Sequence, residues 1–146
     1  MAGMNDTILR FGYPATLIAD YKHWVVLLRP DQPTLGSLIL AARGEARAFG
    51  SLPAAAYAEL GTVTADIEAA LKRAVDYEKI NYLMLMMMDP HVHYHVIPRY
   101  AGQRSAEGLT IADAGWPKVP ALGEAVTPDA DQLRGLAGWL KGHWRR

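Results

Sequence analysis

Three histidines at strict two-residue spacing, His91, His93 and His95, constrain this chain more than any other feature. They lie in the stretch Asp89-Pro90-His91-Val92-His93-Tyr94-His95-Val96-Ile97-Pro98-Arg99-Tyr100 and account for three of the five histidines in the sequence. Chance seldom produces such spacing. The residues between and after them are β-branched or aromatic, the types that fit a pleated surface. Successive side chains of a strand point to opposite faces. His91, His93 and His95 therefore share one face, and Val92, Tyr94 and Val96 share the other. The apolar face can pack into a core, and the imidazole face then needs a chemical reason.

Two chemical uses fit three imidazoles in a row, against the plain reading of a polar outer face. One is a metal site, since histidine is a common ligand. Alternate side chains on one strand stand roughly 7 Å apart, which is too far for all three to ligate one ion without distortion. The other is nucleophilic catalysis. A neutral imidazole can attack a phosphoryl centre and form a phosphoramidate, with its neighbours donating to the phosphate oxygens. Three identical titratable groups make an odd solvent face, which counts against the plain reading.

Around this strand the chain reads as an α+β protein. Residues 1–14 read as a loose lead-in. Trp24 to Leu28 is a strand signal, Arg29-Pro30-Asp31-Gln32-Pro33 is a loop because two prolines remove donors, and Gly36 to Ala41 reads as the next strand. Ser51 is placed to cap a long helix, with apolar positions at Tyr57, Leu60, Thr64, Ile67, Leu71 and Ala74. Gly61 is its weak point. Ile80 to Met88 is almost continuously apolar and reads as a central strand covered on both faces, turned by Asp89-Pro90 straight into the triad strand as a hairpin. Met84 and Met86 to Met88 read as core filling. From Ala101 to Pro128 the predicted form is an extended tail pinned by Trp116. Asp129 to Trp144 forms a final helix with Thr127 or Asp129 as its cap. The basic end His143-Trp144-Arg145-Arg146 reads as solvated and frayed.

Length and composition bound the rest. At 146 residues one domain spanning 1–146 is expected, with a core of about 15–100 and an extension over 101–146. Fifteen basic residues balance fifteen acidic ones, so no overall field draws the chain to nucleic acid or to an anionic membrane. There is no cysteine, hence no disulfide framework and no cysteine metal knuckle. Met1 to Arg10 holds no sustained apolar core and no apolar run approaches a membrane span, so a cytoplasmic location is expected.

The triad stretch resembles the signature of the histidine triad family, His-φ-His-φ-His-φ-φ with φ apolar, at every position from His91 to Ile97. Pro98-Arg99 resembles the continuation seen in the fragile histidine triad branch. The resemblance implies a sheet of about five antiparallel strands with the long helix packed against one face. It implies a nucleotide hydrolase or nucleotidyl transferase acting on dinucleoside polyphosphates or nucleoside phosphoramidates. His93 corresponds to the nucleophile, and His91 and His95 to its partners. No metal is required of the protein, although Mg²⁺ can accompany a polyphosphate substrate, and a homodimer is implied. Ser37 stands where many members carry a fourth histidine, and with Arg99 it is a candidate phosphate ligand. The loop before the triad, Met86-Met87-Met88-Asp89-Pro90, lacks the Gln or Ser that many members have there. A binding protein with little turnover and a metal-binding domain remain the alternatives. His23 reads as a polar residue at a strand end.

Overall fold

A computed structural model describes residues 3–145. Its centre is one antiparallel sheet of five strands in the order β1-β2-β3-β5-β4. The strands are β1 (Leu17–Asp20), β2 (Trp24–Leu28), β3 (Leu38–Ala42), β4 (Lys79–Leu83) and β5 (His93–Arg99). Three helices flank them: α1 (Asp6–Arg10), α2 (Ala54–Val75) and α3 (Ala130–His143). A separate hairpin joins β6 (Gln103–Ala106) to β7 (Leu109–Ala112). The α+β architecture with its long helix is the one expected from the sequence. Among the described residues no helix is long and apolar enough to cross a membrane.

Alternation sorts the two faces of the sheet. On β5, Val96 joins Trp24, Val26, Leu28, Leu38 and Leu40 in the larger core. That core is closed by Ala56, Val63, Ile67, Leu71 and Val75 of α2 and by Leu136, Ala137 and Leu140 of α3. The opposite face carries the odd-numbered residues of β5. There Val25, Leu27, Ile39 and Ala41 form a smaller core with Ile8 of α1. Register fixes this arrangement, with Ile39 opposite both Leu27 and His95, and Ala41 opposite both Val25 and His93.

Several sequence expectations are corrected by the structure. Met1 and Ala2 lie outside the described residues, and residues 3–14 are not loose. The Asn5 side chain accepts from the Ile8 N–H, which caps α1, and donates to the carbonyls of Ala42 and Gly44, which ties the segment to the end of β3. Ser51 does not cap α2. The cap position is Pro53, with no side-chain bond, and Ser51 ends a short 3₁₀ turn. Proline presets φ for the helix start without needing a capping side chain. The run Ile80 to Met88 is not a buried central strand. β4 is an edge strand that stops at Leu83, opposite His95, and the chain then leaves the sheet. Met86 takes a left-handed φ of 52°, which no extended strand allows, and Met87 and Met88 are 84% and 82% exposed. The triad strand thus pairs with β4 as foreseen, but through a nine-residue connection and not a tight turn.

The C-terminal segment differs too. Glu107 and Gly108 both take positive φ, the twist a two-residue hairpin needs, so residues 103–112 fold back as β6 and β7. Ile111 of this hairpin enters the larger core, whereas Trp116 stays half-buried outside it. α3 begins as expected at Asp129, whose carboxylate accepts from Gln132 N–H while the Gln132 side chain accepts from Asp129 N–H. Its end is not frayed. Trp144 Nε1 donates to the Tyr21 hydroxyl, and Arg73 donates to the His143 carbonyl. Arg146 lies outside the described residues.

Candidate active site

The triad is built by β5 and the residues just before it. His91 precedes the strand, and all three imidazoles are buried or nearly so. Each ring has a different partner, and the partners decide which nitrogen carries the proton.

His93 is the clearest case. Its Nδ1 lies 2.7 Å from the His91 carbonyl oxygen. A carbonyl only accepts, so Nδ1 carries the proton and Nε2 holds a lone pair. His91 lies behind it, between Thr7 of α1 and Glu45. The Thr7 hydroxyl is 2.9 Å from His91 Nδ1 and accepts from the His91 backbone N–H at 3.3 Å. The Glu45 carboxylate only accepts, so His91 Nε2–H donates to it at 3.2 Å, and Nδ1 accepts the Thr7 hydroxyl proton. α1 thereby holds the residue whose carbonyl orients His93.

His95 faces the other way chemically. Arg29 donates from Nε to His95 Nδ1 at 3.2 Å, so the neutral ring of His95 carries its proton on Nε2. Burial pushes its pKa down from the usual 6.5 to about 4, helped by the Arg29 cation and by His93, with Asp31 and Asp89 acting in the opposite direction. A protonated imidazole in this setting would lose hydration and face a fixed cation.

That shift predicts how stability depends on pH. The unfolded chain binds a proton at His95 near pH 6.5, and the folded chain resists it until about 4. Stability from this group is full above 6.5 and is lost as pH falls toward 4. Urea unfolding at steps between pH 7 and 4 should show the decline, and His95→Gln should flatten it. A decline of equal size in both proteins would place its source elsewhere.

His93 and His95, with ring centroids 5.3 Å apart, line one cleft of about 230 Å³ together with Phe11, Arg29, Asp89 and the loop Leu85–Met88. The Phe11 ring packs against both imidazoles, at 5.5 and 6.0 Å. Asp89 pairs with Arg10 at 3.1 Å, and Arg29 pairs with Asp31 at 2.8 Å. Among the described residues, no group of three or more His, Cys, Asp or Glu is placed to hold a metal ion.

The other candidates lie apart from this cleft. Ser37 is fully buried, and its hydroxyl donates to the Thr34 carbonyl inside the β2–β3 loop. Arg99 is buried against Asp113 and Asn81, beside a second hollow lined by Lys79 and residues 117–120. His23 stands at the start of β2, half-buried, with its backbone N–H donating to Glu59. Sequence reasoning missed Arg29, Thr7, Phe11 and Asp89. For Arg29 there was one usable signal. Alternation from Val25 and Leu27 puts residue 29 on the triad face.

No family model matches the chain, and no curated protein does. Solved structures do match. A histidine triad protein of Sinorhizobium meliloti is 26% identical, with 95% of this chain and 94% of that one covered and a TM-score of 0.72. One of Bradyrhizobium japonicum is 24% identical over 88% and 90% of the chains, with a TM-score of 0.68. A hypothetical histidine triad nucleotide-binding protein of Sulfolobus tokodaii is 16% identical over 88% and 82%, with a TM-score of 0.64. The five-stranded sheet and its flanking helices are those of the histidine triad fold.

Proposed function

We propose that the cleft is the active site of a nucleotide hydrolase or nucleotidyl transferase working through a nucleotidyl-histidine on His93. The observation that carries this reading is the pairing of opposite tautomers. His93 presents a lone pair on Nε2 and His95 presents an N–H, side by side in one cleft. An attacked phosphoryl group needs both a nucleophile and a donor for its oxygens. Likeness to a Sulfolobus protein described as nucleotide-binding adds support.

In the proposed reaction His93 Nε2 forms a bond to phosphorus as the bond from phosphorus to the leaving group breaks. A phosphate leaving group departs as an anion and needs no proton, whereas an amine must take one from water. Water, or an acceptor alcohol in a transferase, then attacks phosphorus. The N–P bond breaks, the attacking oxygen releases its proton to solvent, and His93 regains its lone pair. His95 donates throughout without changing charge. Dinucleoside polyphosphates and nucleoside phosphoramidates are the substrates proposed. Mg²⁺, where needed, arrives with the polyphosphate.

A binding protein with little turnover is the second reading. The loop Leu85–Met88 puts apolar side chains where polar ones would meet a leaving group, and Ser37 is turned into its own loop. A metal-binding role fits less well, because Thr7, Glu45, a carbonyl and Arg29 engage most of the ring nitrogens. A screen of diadenosine polyphosphates and adenosine phosphoramidates, with and without chelator, separates the readings. Tight binding without product would favour the second.

A homodimer is also proposed. β4 is an edge strand, and beside it an open, largely apolar hollow of about 320 Å³ lies between Leu40, Leu60, Thr64, Glu68, Tyr82 and Tyr94. Light scattering at micromolar protein should give twice the 16.0 kDa chain mass. A lone 16.0 kDa species would remove the claim.

A further inference from the structure

Among the described residues, Arg29 is the one cation that both lines the cleft and touches a triad ring. We infer that Arg29 is a positioning residue that holds His95 as the N–H donor of the cleft. The inference rests on the nucleotide-transfer reading for its consequence but not for its geometry.

Arg29 is itself fixed from several sides. Its backbone N–H donates to the Ser37 carbonyl at 3.0 Å, and its own carbonyl accepts from Gln32 Nε2 at 2.7 Å. Its Nη1 donates to both the carbonyl and the carboxylate of Asp31, at 3.0 and 2.8 Å. The side chain is only 11% exposed, so the guanidinium has little freedom to turn away. Its Nε–H is aimed at His95 Nδ1.

The identity of the donor matters. A hydroxyl can give or take a proton and would accept either tautomer of His95. A guanidinium only donates and stays charged at any working pH. It therefore forces Nδ1 to be the acceptor and Nε2 to keep the proton. The His91 carbonyl imposes the reverse on His93. The two constraints together make the rings complementary. Without Arg29 nothing among the described residues would hold His95 in one tautomer, and its lone pair could turn toward the phosphate oxygens it is meant to hold.

The groups facing His95 are Arg29, His93, Asp31 and Asp89, with the Phe11 ring set edge-on, its centroid 6.0 Å from that of the imidazole. Arg29 and His93 oppose protonation and the two carboxylates favour it. Burial, the largest influence, acts with Arg29 and His93 to keep the ring neutral, as a donor that does not change charge requires.

Ring ¹⁵N spectra of the labelled full chain, recorded from pH 7 to 5 and assigned with His95→Gln, test the assignment without any substrate. Wild-type His95 should show a protonated Nε2 and a bare Nδ1 throughout. Arg29→Leu should give a tautomer mixture and a titration moved up toward the ordinary histidine value of about 6.5. Arg29→Lys, which keeps a charged donor, should restore the Nε2–H form. Where a turned-over nucleotide is known, kcat should fall about 10²-fold in Arg29→Leu with a smaller change in KM, and recover in part with lysine. A wild-type Nδ1–H tautomer overturns the inference even if the variants do not fold. So does an Arg29→Leu spectrum identical to wild type, or a rise in KM alone, which would make Arg29 a direct phosphate ligand. Absence of turnover with every nucleotide would sink the functional reading and leave the tautomer result to stand or fall by itself.

Discussion

His93→Ala is expected to abolish turnover of every nucleotide the native chain accepts, while the variant folds and still binds nucleotide. The loss should be the largest of any single change in the cleft, because the substitution removes the only ring in it that presents a lone pair. Water could attack the same phosphorus, but it lacks the pre-set position that a fixed nucleophile has, and that position is worth several kcal/mol of barrier. His93 has that position because its Nδ1–H is held by the His91 carbonyl and its ring is wedged between Phe11 and His95. Folding should survive because the small core on this face, Ile8, Val25, Leu27, Ile39 and Ala41, does not include His93. His95→Ala should be milder, about 10²–10³-fold in kcat, since it removes one donor and not the nucleophile. A nucleotidyl adduct seen by mass spectrometry after a fast acid-free quench should be present in the native chain and absent from His93→Ala. Wild-type turnover in His93→Ala with every accepted substrate would end the reading of a covalent intermediate.

The parts of this protein legible in the sequence were those set by local rules. The triad strand announced itself through period two, and its neighbours Val92 and Val96 do face the larger core. α3 was legible because its capping box lies within four residues. α2 was legible by period, although its buried face runs through Ala56, Val63 and Ala70 as well as Ile67 and Leu71, about one residue round from the expected stripe. What escaped was set by distance in the chain or by ambiguous hydropathy. α1 has five residues, too few to show a period, and its link from Thr7 to His91 spans 84 positions. Arg29 meets His95 across 66 positions. The run Ile80 to Met88 is equally apolar in its strand half and in its cleft-wall half, so only the backbone break at Met86 separates them. The triad placed the candidate site, but the residues that contact its rings came from segments read as lead-in and loop.

Arg99 illustrates the same limit, and the second large effect follows from it. Read as an arginine after the triad, it looked like a phosphate ligand. In the fold its Nε and Nη2 grip both oxygens of Asp113, at 2.7 and 3.1 Å, with side chains 4% and 1% exposed. Nη1 reaches Asn81 on β4 at 2.8 Å. Asp113 also accepts from the backbone N–H groups of Tyr100 and Gly115, both at 3.2 Å. The pair thus ties β5 and β4 to the segment that follows β7. Asp113→Ala would leave a buried guanidinium without its counter-charge and two backbone donors without an acceptor. Removing one partner of such a pair costs about 3–5 kcal/mol, far more than an exposed pair contributes. That is a large part of the 5–15 kcal/mol typical of a whole domain, so Asp113→Ala should unfold at much lower urea or be partly unfolded without it. The double variant Arg99→Met with Asp113→Leu should recover much of the loss, because it removes the stranded charge as well. Equilibrium unfolding of Arg99→Met, Asp113→Leu and the double variant that combines them gives the coupling directly. If Asp113→Ala unfolds within about 1 kcal/mol of the native chain, the pair is not the fastening described. If Arg99→Met instead raises KM for nucleotide with stability unchanged, Arg99 belongs to substrate binding after all.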